Sequence, residues 1–183
     1  MANLIDISFF FGELNIAQKT ESAGSLGLFI EDMEPRLLTD LLGYELYKAY
    51  KTGIAAGTPD AKWLALRDGK EYTNRAGHLT YWDGLIFTKG TAKKSPIANY
   101  VYWQWMADQS TVTTGTGEKA SAAANAVYAS PARKMVRAWN QMVDWNRELV
   151  EFLLSNPTDY PEFQNHYGRM PADLLKYQNT FGI

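Results

Sequence analysis

The stretch Ser130 to Leu153, "SPARKMVRAWNQMVDWNRELVEFL", decides the fold. Ser130-Pro131 reads as a helix start, with serine as the cap and proline at the first position. A helix over about Ala132 to Leu154 follows, roughly 35 Å long at 1.5 Å per residue. Spacing residues about 100° apart gathers Met135, Val136, Trp139, Met142, Val143, Leu149, Val150 and Leu153 on one face. Arg133, Arg137, Asn140, Asp144, Arg147 and Glu151 take the opposite face. Trp145 and Phe152 fall on neither. With Leu149 they widen the apolar arc to roughly 200°, twice the stripe of a simple surface helix, so something else covers that flank.

Upstream, "SPIANYVYWQWMAD" starts with Ser95 as cap and Pro96 at the first position. Only Asn99 and Gln104 are polar before Asp108. A helix apolar nearly all round is buried or sandwiched between two partners. Leu26, Phe29, Ile30, Met33, Leu37, Leu38 and Leu41 mark another helix face from Ser25, with Pro35 predicting a kink or two helices meeting near Glu34. Gly43 predicts a break, and "YELYKAYKTG" a short helix ending at Gly53. "TPDAKWLALRDG" predicts one more helix, with Thr58 as cap, Pro59 in the first turn and Gly69 at the end.

Strand signals are fewer. "LIDISFF", residues 4–10, reads as a short strand or extended arm. Residues 70–94 carry aromatic and β-branched residues around Asp83-Gly84, which predicts a β-hairpin turning at that dipeptide. Residues 110–130 form a long Gly/Thr/Ser/Ala arm with few charges, which reads either as a spacer or as a contact arm whose β-prone "STVTT" suits strand addition to a neighbour. The tail after Asn156-Pro157 mixes prolines and rings, predicting an extended segment with one helical turn near Ala172 to Tyr177. The organisation expected is therefore mainly α: a single helical domain over 1–156 in the form of a small bundle with a long C-terminal helix. It carries an inserted hairpin and loop arms, and an extended tail over 157–183 packs on the domain or a neighbour.

Composition narrows the function. At 183 residues the chain suits one domain, and 46% hydrophobic content is enough for a core. The net charge of −2 argues against a strongly basic, groove-reading nucleic-acid surface. With no cysteine there is no disulfide framework, no thiolate zinc site and no cysteine catalysis. The start "MANLIDISFFFGELN" has no basic region and an apolar run too short for a leader or a membrane span, which predicts a soluble protein made in the cytoplasm.

The catalytic inventory is thin. His78 and His166 lie far apart with no metal-ligand spacing, and both read as loop imidazoles. "KGTAKKS" and "GTGEKAS" depart from the G-x-x-x-x-G-K-[ST] pattern of a phosphate loop, although Lys93 and Lys94 before Ser95 suit an anionic partner. Glu31, Asp32 and Glu34 read as the solvated side of an amphipathic helix. No catalytic, cofactor or metal residue is assigned. A sugar- or peptide-binding module using exposed Trp63 and Trp82 is the alternative function; Trp103, Trp105, Trp139 and Trp145 lie on helices that read as core.

The order of these parts resembles a known family. "SLGLFIEDMEPRLLTDLLGYELYKAY", the aromatic helix "SPIANYVYWQWM", the loop "STVTTGTGEKASA" and the "AWN" helix are similar to head–tail connector proteins (adaptor or head-completion proteins) of tailed bacteriophages, especially those of Bacteroides-type phages and prophages. The resemblance covers residues 20 to 156 and rests on packing patterns. It implies a structural virion protein, not an enzyme, forming a ring at the phage neck, commonly of twelve copies. Its partners would be other copies of itself, the portal protein and a tail or stopper protein, with DNA passing through the channel without sequence recognition and no membrane. In that setting Trp145, Leu149 and Phe152 are expected to meet an adjacent subunit. Trp82, Lys93 and Lys94 on the hairpin and Thr111, Val112 and Thr113 on the loop arm are expected to grip the portal, the tail or neighbouring copies.

Overall fold

The computed structural model describes residues 3–16, 20–109, 111–114, 117–120 and 132–179. The protein is mainly helical. Helix α1 spans Thr20–Leu42, α2 Tyr44–Ile54, α3 Ala61–Asp68, α4 Pro96–Gln109, α5 Ala132–Ser155 and α6 Pro161–His166. Between α3 and α4 lie four short strands, β1 Lys70–Thr73, β2 Leu79–Trp82, β3 Phe87–Lys89 and β4 Ala92–Lys94; β5 Thr111–Thr114 and β6 Gly117–Ala120 follow α4.

Helix α4, apolar nearly all round, is sandwiched as its composition requires, with α1 on one side and α5 on the other. Two tryptophans two positions apart, and so on nearly opposite sides of a helix, make the two contacts. Trp105 meets Phe29 of α1 edge-on at 5.4 Å, and Trp103 meets Trp139 of α5 at 4.9 Å. Ser95 caps α4 by accepting from the Ile97 amide at 3.1 Å, and donates its own proton to the Leu85 carbonyl at 2.7 Å. Buried Asn99 ties α4 to α5 by donating to the Ala138 carbonyl at 2.9 Å.

Pro35 does not divide α1, which runs as one helix through it. Buried Leu26, Ile30, Met33, Leu37, Leu38 and Leu41 keep one apolar face on both sides of the proline. The carbonyl that loses its partner belongs to exposed Glu31, where water can donate instead. The predicted break at Gly43 and the end of α3 at Gly69 are found. Helix α3 begins later than "TP" suggested, with Asp60 at the cap position.

The 70–94 region corrects the hairpin expectation. It holds two antiparallel hairpins, β1–β2 and β3–β4, and neither turns at Asp83-Gly84. The first is closed by Asn74, whose side-chain oxygen accepts from the Ala76 and His78 amides at 3.0 and 2.9 Å. The second closes through Gly90-Thr91, with Gly90 at φ +67° supplying the conformation a two-residue loop needs at its first position. Asp83-Gly84 links the two hairpins against the end of α3. A Cβ on Gly84 would lie 2.5 Å from the Arg67 carbonyl oxygen, so glycine is set there by contact as well as by φ +103°.

The N-terminal segment is neither a strand nor an arm. It forms two 3-10 turns, Ile7–Phe9 and Gly12–Leu14, and sinks Ile5, Phe9, Phe10, Leu14 and Ile16 into the core. Its anchor is Glu34, expected on a solvated face but only 4% exposed. The two carboxylate oxygens accept the Leu4 and Ile5 amides at 2.8 and 3.1 Å. Glu31 and Asp32 do face solvent. The tail is also more folded than expected: α6 and 3-10 turns at Tyr167–Arg169 and Ala172–Leu175 carry Tyr160, Phe163, Met170 and Leu174 into the same core as the helices.

Burial pushes the Glu34 carboxyl above the ordinary glutamate range, against the lowering effect of the two amides. The folded chain therefore holds this proton more tightly than the unfolded chain. The resulting stabilisation is fully present below about pH 4 and is lost as pH rises through the raised value. Glu34→Gln offers one acceptor oxygen to two amides and is expected to cost roughly 1–3 kcal/mol. In chemical denaturation, the gap between wild type and Glu34→Gln should narrow from about pH 4 to about pH 8; a gap that widens with pH would contradict this account of Glu34.

Candidate interaction surfaces

The flank of α5 expected to await another subunit is covered by the chain itself. Phe152 is 1% exposed and Leu149 fully buried. Tyr72 of β1 meets the Phe152 ring edge-on at 5.1 Å, Trp82 of β2 stacks on it at 6.0 Å and Tyr160 closes the third side at 5.5 Å. Trp82, expected as an exposed contact residue, is fully buried, and its indole N–H donates to the Leu66 carbonyl at 3.2 Å. Trp145 is half-buried, its ring met edge-on at 5.2 Å by Phe87 of β3. The physical reason is strand alternation: the first hairpin turns Tyr72 and Trp82 inward, so one of its faces becomes the missing cover of α5. Phe152, Leu149 and Trp82 are thus core residues.

The tail lies along a flank of α5 that joins the expected solvated stripe, through Asn140, Asp144 and Arg147, to the edge of the apolar face at Trp139 and Asn146. The Trp139 indole N–H donates to the Lys176 carbonyl at 2.9 Å. Asn140 exchanges two hydrogen bonds with the Gln178 backbone, at 2.9 and 2.8 Å. Asn146, fully buried, donates to the Leu174 carbonyl at 2.9 Å. Arg147 donates to the Leu175 carbonyl at 3.2 and 2.8 Å and lies 4.2 Å over the Tyr177 ring, while the Tyr177 hydroxyl donates to Asp144. Asparagine is a poor interior helix residue. Asn140 and Asn146 in mid-helix were the available signal that this face reads backbone.

Lys93 and Lys94 already have partners in their own chain. Lys93 donates to the Ser8 hydroxyl at 2.7 Å and lies 5.3 Å over the Phe9 ring; Lys94 pairs with Glu13 at 2.5 Å. The Lys94 hydrogen bond holds the Glu13 carboxyl below its ordinary range, and the Ser8 hydroxyl does the same for Asp6. The second hairpin thereby clasps the N-terminal segment. Thr111, Val112 and Thr113 lie in β5, which pairs with β6 of the same arm. Other parts of the 110–130 arm, and Ser130-Pro131, lie outside the described residues.

The remaining chemistry-bearing residues are dispersed. His166 shares a 2.9 Å hydrogen bond with the Asp40 carbonyl, and His78 sits in the exposed first turn. A cleft of about 280 Å³ between the start of α2 and α6 is lined by Tyr44, Glu45, Glu162, His166 and Arg169. Among the described residues no group of three or more His, Cys, Asp or Glu is placed to hold a metal ion, and no helix is long and apolar enough to cross a membrane. Trp63 is 5% exposed, so neither Trp63 nor Trp82 offers an open stacking platform for a sugar.

Large apolar side chains face outward at several places among the described residues, Phe11 and Tyr44 included, and two of them share the outer side of the first hairpin. Leu79 is 69% and Tyr81 56% exposed, beside Thr73 and Glu71 across the strand. Leu28 of α1 is also 69% exposed. No family model, curated protein or solved structure matches the chain.

Phe152→Ala should therefore act on folding, costing about 3–5 kcal/mol as a buried phenylalanine does. Trp145→Ala should cost less, because part of its ring already meets water. Denaturation midpoints of the two purified variants check this ranking; a stable Phe152→Ala protein would contradict the assignment of Phe152 to the core.

Proposed function

We propose that the chain is a structural assembly subunit, a head–tail connector that forms a ring at the neck of a tailed-phage particle and joins portal to tail. The sequence resemblance over residues 20–156 supports the phage setting. The observation that carries the assembly role is the first hairpin, anchored on one face and bare on the other. Tyr72 and Trp82 fix it to α5 through Phe152, which leaves Leu79 and Tyr81 outward on a support that does not have to be ordered on binding. Preorganised aromatic and aliphatic side chains are what a protein docking site uses, because little conformational entropy is lost when they engage.

Charge agrees with this role. A subunit of net charge −2 suits the wall of a channel through which DNA slides, since many lysine and arginine contacts to phosphate would hold the strand in a salt-dependent grip. In this reading the outer face of the first hairpin meets the portal, the tail protein or another copy. The 110–130 arm, part of which lies outside the described residues, is a second candidate contact.

The test is incorporation into particles. A tagged wild-type chain should be imaged at the neck. Leu79→Ser combined with Tyr81→Ser should leave the denaturation midpoint nearly unchanged, as for exposed positions, while reducing the copies per particle at least about tenfold, a loss of 1.4 kcal/mol or more in docking. A tag found away from the neck would overturn the phage-neck reading. Wild-type incorporation of the double variant would remove the hairpin from it.

A further inference from the structure

The stack α1–α4–α5 has two outward sides, and they carry opposite charge at the same level. On α1, Leu28 is followed three and four residues later by Glu31 and Asp32, a spacing that puts all three on one exposed patch. On α5, Arg133, Lys134 and Arg137 are exposed in the first two turns, around the half-buried Val136. The Phe29–Trp105 and Trp103–Trp139 contacts place both patches toward the C-terminal end of α4, on its two sides. Among the described residues, Glu31, Asp32, Arg133 and Lys134 form no ion pair. Arg137 also faces Glu13 of its own chain.

The cations on α5 are placed against local physics. A helix N-terminus carries partial positive charge and favours acids, yet the first turn of α5 has none and the helix opens with three exposed cations within its first two turns. An arrangement that costs the isolated helix stability is offset when acids approach from outside. The two acids on α1 have the matching sign, with bare Leu28 one turn before them and exposed Arg36 one turn beyond.

Resting on the ring reading above, we propose that the Leu28–Glu31–Asp32 patch of one copy docks on the Arg133–Lys134–Arg137 patch of the next. The two patches differ, so the contact is head-to-tail and propagates from copy to copy, closing into a ring when the rotation per copy divides a full turn. A two-fold contact is disfavoured, because the two patches lie on opposite sides of the stack and a two-fold axis at either one would set acid on acid or base on base. A nucleic-acid role for the cations is less well matched: Asp144, Glu148 and Glu151 follow on the same helix and interrupt a phosphate track.

The experiment uses four full-length chains: wild type, Glu31→Lys with Asp32→Lys, Arg133→Glu with Lys134→Glu, and all four changes together. Each is followed by sedimentation velocity at low and high salt, and by copy number in particles. Wild type should assemble at low salt, and each pair of reversals should weaken assembly by more than about a hundredfold through like-charge contact. Mixing the two reversed chains should restore it, since each supplies the complement of the other, and the fourfold variant should assemble alone. Wild-type assembly by either reversed chain, or failure of the mixture to recover, overturns this contact and leaves the ring reading standing. A wild-type chain that is monomeric in solution and single-copy in particles overturns both. Loss of DNA binding confined to the Arg133→Glu, Lys134→Glu chain, with assembly intact, assigns the cations to nucleic acid and overturns the contact.

Discussion

Helix α4 constrains everything around it. Tyr100, Val101, Tyr102 and Trp105 are all buried along it, and a helix of that kind is stable in water only with a partner on each side. Helices α1 and α5 supply them. Each large side chain so covered contributes roughly 1.5–3 kcal/mol. The demand then passes outward, because α5 is itself apolar over more than one stripe. Its far flank is closed by Tyr72, Trp82 and Phe87 from the hairpins, and its polar side is overlaid by residues 174–178. Helix α1 in turn holds the N-terminal segment through Glu34. The hairpins and both terminal segments are thus successive covers on one buried helix.

Periodicity made the helices legible. The start of α4, the span of α5, the break at Gly43 and the sandwich around α4 follow from apolar spacing and from the placement of Pro96 and Gly43, which are local signals. The covers were much less legible, because each is a choice among partners distant in sequence. The 200° arc on α5 stated that a cover was needed without stating its source. Residues 70–82 supply it, through an alternation that also leaves Leu79 and Tyr81 outside. Asp83-Gly84 has the composition of a hairpin turn, but Gly84 is required by its approach to the α3 backbone, a tertiary contact that composition does not report. Glu34 looked like its neighbours Glu31 and Asp32 because helix position alone does not reveal that two backbone amides from residues 4 and 5 arrive there.

The same distinction governs the functional surface. Candidate contact residues chosen for being large and apolar, Phe152, Leu149 and Trp82, were drawn into the core for that very property. The proposed contacts instead use what the fold cannot absorb: Leu79 and Tyr81 on the outer side of an anchored hairpin, and charges on the two outer helices that oppose local preference or stand without a partner. Assembly in this account joins finished subunits and does not complete unfinished ones.

That last point is the one most directly measured. Equilibrium denaturation of the full chain over a hundredfold range of protein concentration, at an ionic strength high enough to screen charge contacts between copies, reports whether the core needs another molecule. The account predicts a single midpoint independent of concentration. A midpoint that climbs with concentration, as mass action demands when a second chain completes the fold, would contradict it.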